Sequence, residues 1–367
     1  MNSLEKTLLH AILDEDKKTS MESFNNWTSS IDFDHVEAGS FRLIPSLYRK
    51  MSLINEDFEN KNRMKGIYRY FLYKNRMIMH NSLKVLESFD ENNIECILLK
   101  GAALVSSYYE EPALRPMNDI DLLVRREDAE KAYLLLEKAG WYNREEGTFH
   151  TKFKNSNQIA LGDDRDFHLD LHWDVIFQSC WKGSEESYWE NIETVNYMGR
   201  YVKILNPEMQ IVHNMAHGLR WNRVSAIRWI PDVMKVMEKR RNDIDWDKII
   251  KLAEEKKLIF TIKQGMNFLD KEFSTDMPKS FMDKMNAIPY TKIEKKLYHH
   301  LNNPSRFGGF MIGWYIYSKG MENASFIVRM TRLPAYLKIM WNVDTYSQVA
   351  SLLWKKTVRK LKRRNKK

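Results

Sequence analysis

Two aspartates separated by one residue, Asp119 and Asp121 in RPMNDIDLLV, hold the spacing with the most obvious chemistry in this chain. On an extended strand, side chains two apart leave the same face, so both carboxylates aim at one point while Ile120 and Leu122 turn to the core. Hard oxygen ligands of this kind suit Mg2+, which takes one or two carboxylates and completes its octahedron with water and phosphate oxygens. Acids on the solvent face of an edge strand would look the same, so the pair gains weight only from its company. Upstream, Lys100-Gly101 closes an apolar run at 94–99 and opens a helix-like AALVSSYYE. Bare N–H groups and the positive end of a helix dipole at such a turn can hold a phosphate, and glycine lets it approach closely. Downstream, Asp170 lies in FHLDLHWDV, where Phe167, Leu169, Leu171 and Trp173 alternate with His168, Asp170, His172 and Asp174. One face of that strand is apolar and the other is acid and imidazole.

These residues need a frame of short strands between helices. Residues 1–90 carry apolar residues at spacings of three and four, a helical pattern. Then come the run at 94–99, the helix-like AALVSSYYE, a loop bracketed by Pro112 and Pro116 that contains Arg115, the strand MNDIDLLV, and an amphipathic helix REDAEKAYLLLEKAG stopped at Gly140. Beyond about residue 180 the pattern returns to helices, including NPEMQIVHNMAHGLRW and IRWIPDVMKVMEKRR. The expected fold is α+β: a small mixed-sheet core at 91–180, an N-terminal helical region at 1–90, a larger C-terminal helical region at 181–340 and a basic tail at 341–367.

LLKGAAL, RPMNDIDLLV and LDLHW together resemble the polymerase-β-like nucleotidyltransferase superfamily, and more closely its uncharacterised bacterial branch. The resemblance is specific across about 94–174, weaker over HNMAHGLRW and RWIPDV, and does not extend to residues 1–90 or the tail after 340. It implies transfer of a nucleoside monophosphate from an NTP to an acceptor, with pyrophosphate leaving. By that resemblance Asp119 and Asp121 hold two Mg2+ ions, with Mn2+ as an alternative, and Asp170 completes the second site and takes the acceptor proton. Asp174 is the rival for the third place; Asp170 is preferred because it sits in the matched Asp-Leu-His-Trp segment. The superfamily turn carries Gly-Ser, whereas this chain has Gly101-Ala102, so Lys100 and Arg115 are expected to supply the grip on phosphate, with Gly101 and His172 also at the nucleotide. His168 is assigned as a hydrogen-bonded neighbour. His213 and His217 stand four apart without the glutamate or third ligand of a zinc site, and are assigned to a helix face lining the cleft, with Arg228 and Asp232 as companions.

Composition narrows the class. At 43% hydrophobic residues with 11 Trp, 17 Tyr and 17 Phe the chain is a folded globular protein. Two cysteines, Cys96 and Cys180, make neither a disulfide framework nor a thiolate metal site, and with no signal-peptide pattern the expectation is a cytoplasmic protein. The net charge of +9 resides in SLLWKKTVRKLKRRNKK, which carries nine Lys or Arg and no acid, so the remainder is formally neutral. The tail is expected to be a solvated helix end, with contact to nucleic acid or anionic membrane as lesser alternatives. Three other readings remain at this point: an inactive nucleotide-binding module, a toxin-like transferase acting on RNA or protein, and a tail-anchored peripheral partner of a surface-polymer assembly system.

Overall fold

The computed structural model describes residues 1–55, 57–179, 183–220, 224–273 and 275–303, and towards the C-terminus residues 314, 325, 327, 331, 333–341, 343 and 345–364. Cys180 lies outside the described residues, as do residues 365–367 and the tail's side chains from 356 on. Five helices precede the first strand: α1 (Ser3–Leu13), α2 (Lys17–Ser29), α3 (Ala38–Phe41), α4 (Ile44–Ile54) and α5 (Lys61–Glu91). Their starts follow local chemistry. Asn2 and Glu5 form a capping box on α1, Asp16 caps α2 through the Thr19 amide, and Pro45 opens α4. The 31-residue α5 buries Met64, Phe71, Ile78, Met79, Val85, Leu86 and Phe89 along one face.

The sheet has seven strands, β1 (Cys96–Leu99), β2 (Ile120–Val124), β3 (Tyr142–Asn143), β4 (Gln158–Gly162), β5 (His168–His172), β6 (Ile192–Tyr197) and β7 (Arg200–Leu205), in the order β3-β4-β5-β2-β1-β7-β6. β2 runs parallel to β5 and antiparallel to β1, and β1 runs parallel to β7. All five residues of β2 are buried, which is why its sequence is nearly continuous in apolar residues apart from Asp121. Connecting the strands are α6 (Lys100–Ser107), α7 (Ala129–Lys138), α8 (Phe149–Asn155) and α9 (Glu186–Glu190). α6 packs on β1, β2 and β6.

The sheet continues past residue 180, in a stretch whose pattern reads as helical. Residues 192–205 form an antiparallel hairpin, β6–β7, with Met198 (φ 53°) and Gly199 (φ 89°) at its turn. Two positive φ values are what a tight hairpin needs, and Asn-Gly or Asp-Gly is the usual signal; methionine in the first place hides it. Met117 to Asn118 and Asp119 precede β2 rather than belonging to it, and Asp174 lies past the end of β5.

The helices α10 (Pro207–Gly218), α11 (Trp229–Lys239), α12 (Trp246–Glu255), α13 (Ile259–Glu272), α14 (Lys279–Ala287) and α15 (Lys292–Asn302) follow, with further helices at Leu333–Met340 and Tyr346–Arg364. α10 packs against α11, α12 and α13. One apolar core runs continuously from Leu8 to Met285, joining the N-terminal helices, the sheet and the C-terminal helices. Cys96 keeps a free thiol that burial pushes up to about 12. Among the described residues no helix is long and apolar enough to cross a membrane.

Candidate active site

Parallel pairing of β2 with β5 sets Asp121 opposite Asp170 and Leu123 opposite His172. Asp121, Asp170 and His172 each bring one potential ligand atom within 4.8 Å of the others. Asp119, expected to share the strand with Asp121, sits in the bend before β2 and outside that group. The bend is held from α5: Asn75, fully buried, donates from Nδ2 to the carbonyls of Pro112 and Arg115 and accepts from the Met117 amide at 3.0 Å. Nearby, the Lys74 ammonium donates to Asn118 Oδ1 (2.8 Å).

Lys100, expected at the phosphate, is turned to the carboxylates. Its ammonium donates to Asp121 Oδ1, and His172 Nε2 lies 3.0 Å from the same oxygen. Burial alone would raise the Asp121 carboxyl, but Lys100 and then His172 outweigh it and hold the group well below the usual carboxylate range. Among the described residues no cation is bonded to Asp170: burial and then the Asp121 charge push it up to about 7, against the charge of Lys100 and a hydrogen bond from Gln158 Nε2 (2.6 Å). Asp119 is likewise raised, by burial and then by Asp121.

His172 faces a carbonyl on one side, with Nδ1 3.3 Å from the oxygen of Asp174. The Asp121 carboxylate on the other side also only accepts, so the ring proton serves one of the two at a time. Burial and then Lys100 lower the ring below its ordinary value. The Lys100 ammonium, bonded to Asp121 Oδ1 and 3.5 Å from His172 Nε2, stands where these groups converge.

The carboxylates open on a cleft of about 390 Å3 whose other walls are α10, α11 and the bend before β2. Arg115, expected at the nucleotide, lies along it but is bonded to Asp232 Oδ1 (2.7 Å), which also accepts from Tyr109 (2.8 Å). Burial would lower the Arg115 guanidinium; Asp232 more than restores it. Burial also lowers Arg228, Arg42 and Arg220, which line the same cleft. Burial, then Arg115 and Arg42, push Arg228 down to about 9, and its Nη1 donates to the Pro116 carbonyl (2.6 Å). Burial and then Arg115 lower Arg42. Gly101 is needed for packing as well as for any ligand: a Cβ there would fall 2.7 Å from Met117 Cγ. Lys100 takes the strained backbone of this turn, at φ 47°.

Residues 38–270, more than half of the chain, match the family described as uncharacterised nucleotidyltransferase. The chain belongs to that family. The match reaches well beyond the 94–174 stretch that carries the sequence resemblance, taking in α3 to α5 and most of α13. This nucleotidyltransferase matches no curated protein. Among solved structures, the antibiotic-resistance factor ANT(2'')-Ia is similar at 15% identity over 53% of this chain and 98% of its own, with a TM-score of 0.35. An antigenic nucleotidyltransferase-like protein from Paracoccidioides brasiliensis is similar at 15% identity over 56% of this chain and 94% of its own, with a TM-score of 0.33. The family assignment rests on the sequence match.

The nucleotidyltransferase cleft thus gathers Asp119, Asp121, Asp170, Lys100, Gly101 and Arg115, the residues singled out from sequence, along with His213, His217, Arg228 and Asp232. His172 stands behind them, bonded to Asp121. His168 is paired instead with Asp166 (3.0 Å). Asp174 is fully buried and accepts from Ser184 (2.6 Å). Arg42 and Gln158 had no signal in the sequence: Arg42 lies between two helices of the lead-in, and Gln158 starts a strand, β4, that the pattern did not show.

Proposed function

We propose that this nucleotidyltransferase moves a nucleoside monophosphate from an NTP to an acceptor hydroxyl or phosphate with Mg2+ as cofactor, Mn2+ serving as a substitute. The supporting observation is the convergence of one potential ligand atom each from Asp121, Asp170 and His172 within 4.8 Å of one another at the edge of a cleft. That donor set fits a divalent cation: two carboxylates crowd each other, as the raised Asp170 records, and a neutral imidazole completes them. Asp121, Asp170 and His172 would hold one ion, and Asp119 with Asp121 a second. What Mg2+ supplies when bound there is neutralisation of the phosphoryl oxygens and a lower pKa for the attacking group.

The chain's own residues do the rest. Asp170, whose Oδ2 accepts from Gln158 Nε2, takes the acceptor proton. As the acceptor oxygen bonds to the α-phosphorus, the bond from that phosphorus to the bridging oxygen breaks and its electron pair leaves on pyrophosphate. Lys100 keeps Asp121 ionised. Arg42 and Arg228 take the phosphate charge that Arg115, committed to Asp232, is less free to take. Location in the cytoplasm, with its supply of NTPs, belongs to the same reading.

The test is binding and turnover of the four NTPs with and without Mg2+, following pyrophosphate release against pooled cell extract, for wild type and Asp121→Asn/Asp170→Asn. Metal-dependent turnover that disappears in the double variant supports the transferase. Metal-independent binding without turnover, in protein shown to be folded, overturns it in favour of a binding module.

A further inference from the structure

On α10, Gln210, His213, Asn214 and His217 recur at spacings of three and four and so share one helix face. His213 is 1% exposed, and among the described residues neither of its ring nitrogens has a hydrogen-bond partner. The same holds for Asn214 Nδ2 and for both amide atoms of Gln210. Buried polar groups are almost always paired because leaving one unpaired costs its full desolvation, so a run of orphans on one helix face asks for a partner that is not part of the chain. His213, Asn214 and His217 line the cleft that holds Asp121 and Asp170.

The two sides of that cleft differ in their polar groups. Near Asp119 stand Arg115 and Arg228, with Arg42 beside them, a surface for phosphate. On the α10 side, burial and then Lys100 push His213 down to about 3 and His217 well below its ordinary value, and Arg220, past the end of α10, acts in the same direction on both. A neutral imidazole offers one N–H and one lone pair, and the asparagine amide adds N–H groups. The complement is a group that both donates and accepts without charge, which describes a hydroxyl. A nucleobase would ask for a ring to stack on, and the Trp229 ring at this end is engaged with Phe268 (centroids 6.0 Å apart) and pressed on Gly218.

We propose that the α10 face carrying His213, Asn214 and His217 binds the acceptor, and that the acceptor is a polyol or sugar whose hydroxyls satisfy the orphaned His213 and Asn214. The inference rests on the nucleotidyltransferase reading of the cleft. One hydroxyl of the polyol attacks the α-phosphorus of the NTP, its proton passing to Asp170 and pyrophosphate leaving, while the neighbouring hydroxyls are held by α10.

The experiment uses the full chain as wild type, His213→Leu and Asn214→Leu, with three readouts. Thermal midpoint is measured first. Removing an orphaned buried polar group should raise it, by about 2 °C or more; a fall would mean that the side chain has a structural partner and would overturn the proposal. Calorimetry with a non-hydrolysable α,β-methylene NTP in Mg2+ comes second and should show affinity within about twofold of wild type. Third, NTPs labelled at the α-phosphate are incubated with glycerol, sorbitol, myo-inositol or glucose as probe acceptors, and the variants should label them at least about tenfold less than wild type. Loss of analogue affinity in step with labelling would assign the α10 face to the nucleotide instead. Wild type that turns over NTP with cell extract yet labels none of the four polyols would overturn the acceptor class. Wild type that binds no analogue at all would instead sink the nucleotidyltransferase reading itself, and this inference with it.

Discussion

Asp170, half-buried, and Asp174, fully buried, lie four residues apart on one segment, and each is an acid raised above its ordinary value. Their surroundings differ in kind. Asp170, within β5, faces the cleft, takes one hydrogen bond from Gln158 and is raised by burial and then by another carboxylate, Asp121. Asp174, just past the strand, is sealed off: Ser184 Oγ donates to Oδ2 (2.6 Å), the Ile176 amide to Oδ1 (3.3 Å), and burial leads its rise to about 6. The Lys256 ammonium approaches the same pocket, donating to the Ser184 carbonyl 3.9 Å above the Tyr188 ring centre. One acid is satisfied by its own chain and fixes a connection between the sheet and the C-terminal helices; the other is crowded by like charge at the edge of a space. Strain left unrelieved inside the chain marks the working end, and strain relieved inside it marks the scaffold.

The contrast can be broken most directly at the carboxylates. Asp121→Asn should lower NTP turnover by on the order of 10³ or more with the fold retained, whereas Asp174→Asn should leave it within a few-fold; steady-state pyrophosphate release together with circular dichroism checks both. A comparable collapse in Asp174→Asn would erase the distinction.

The second effect is on stability. Because the folded-state value of Asp174 is raised, its proton is held more tightly in the native state, so its contribution is fully present below about pH 4 and is lost as pH rises through about 6. Spread over that window the change amounts to roughly 3 kcal/mol at most. Asp174→Asn should flatten the urea midpoint of the protein between pH 4 and 7 relative to wild type, and an unchanged slope would remove Asp174 from the titrating groups.

A smaller effect concerns the joint that shapes the cleft. A Cβ at Gly218 would fall 2.2 Å from Trp229 Cβ, so Gly218→Ala should separate α10 from α11 at a cost of about 1–3 kcal/mol, read as a lower denaturant midpoint. Smallest is Arg228→Gln, which should raise the KM for NTP about tenfold, or ~1.4 kcal/mol, with no loss of thermal stability, since the cation removed is a buried and incompletely compensated one. A KM that stays put would move the phosphate site away from the arginine side.

Much of the site was legible because its signals are local. Period-two alternation placed Asp170 and His172 with the acids, and a glycine turn after an apolar run located the β1–α6 connection. The same reasoning misplaced Asp119 by one residue of strand and put Asp174 on the acidic face, since alternation does not say where a strand stops. It missed β6–β7 because Met198 occupies a turn position usually marked by Asn or Asp. It assigned Lys100 and Arg115 to phosphate on their charge alone; the partners that claim them, Asp121 and Asp232, are 21 and 117 residues away.

The sequence by itself determined the α+β order of elements, the acids and the turn available for metal and phosphate, because strand period, helix period and glycine conformation are properties of a few consecutive residues. Only the tertiary structure decided that Asp121 and His172 share an oxygen-to-nitrogen contact, that Arg42 of the N-terminal helices reaches the cleft, and that His213 is buried without a partner. Burial and charge compensation depend on what the rest of the chain brings within a few ångströms, and no window of sequence contains that information.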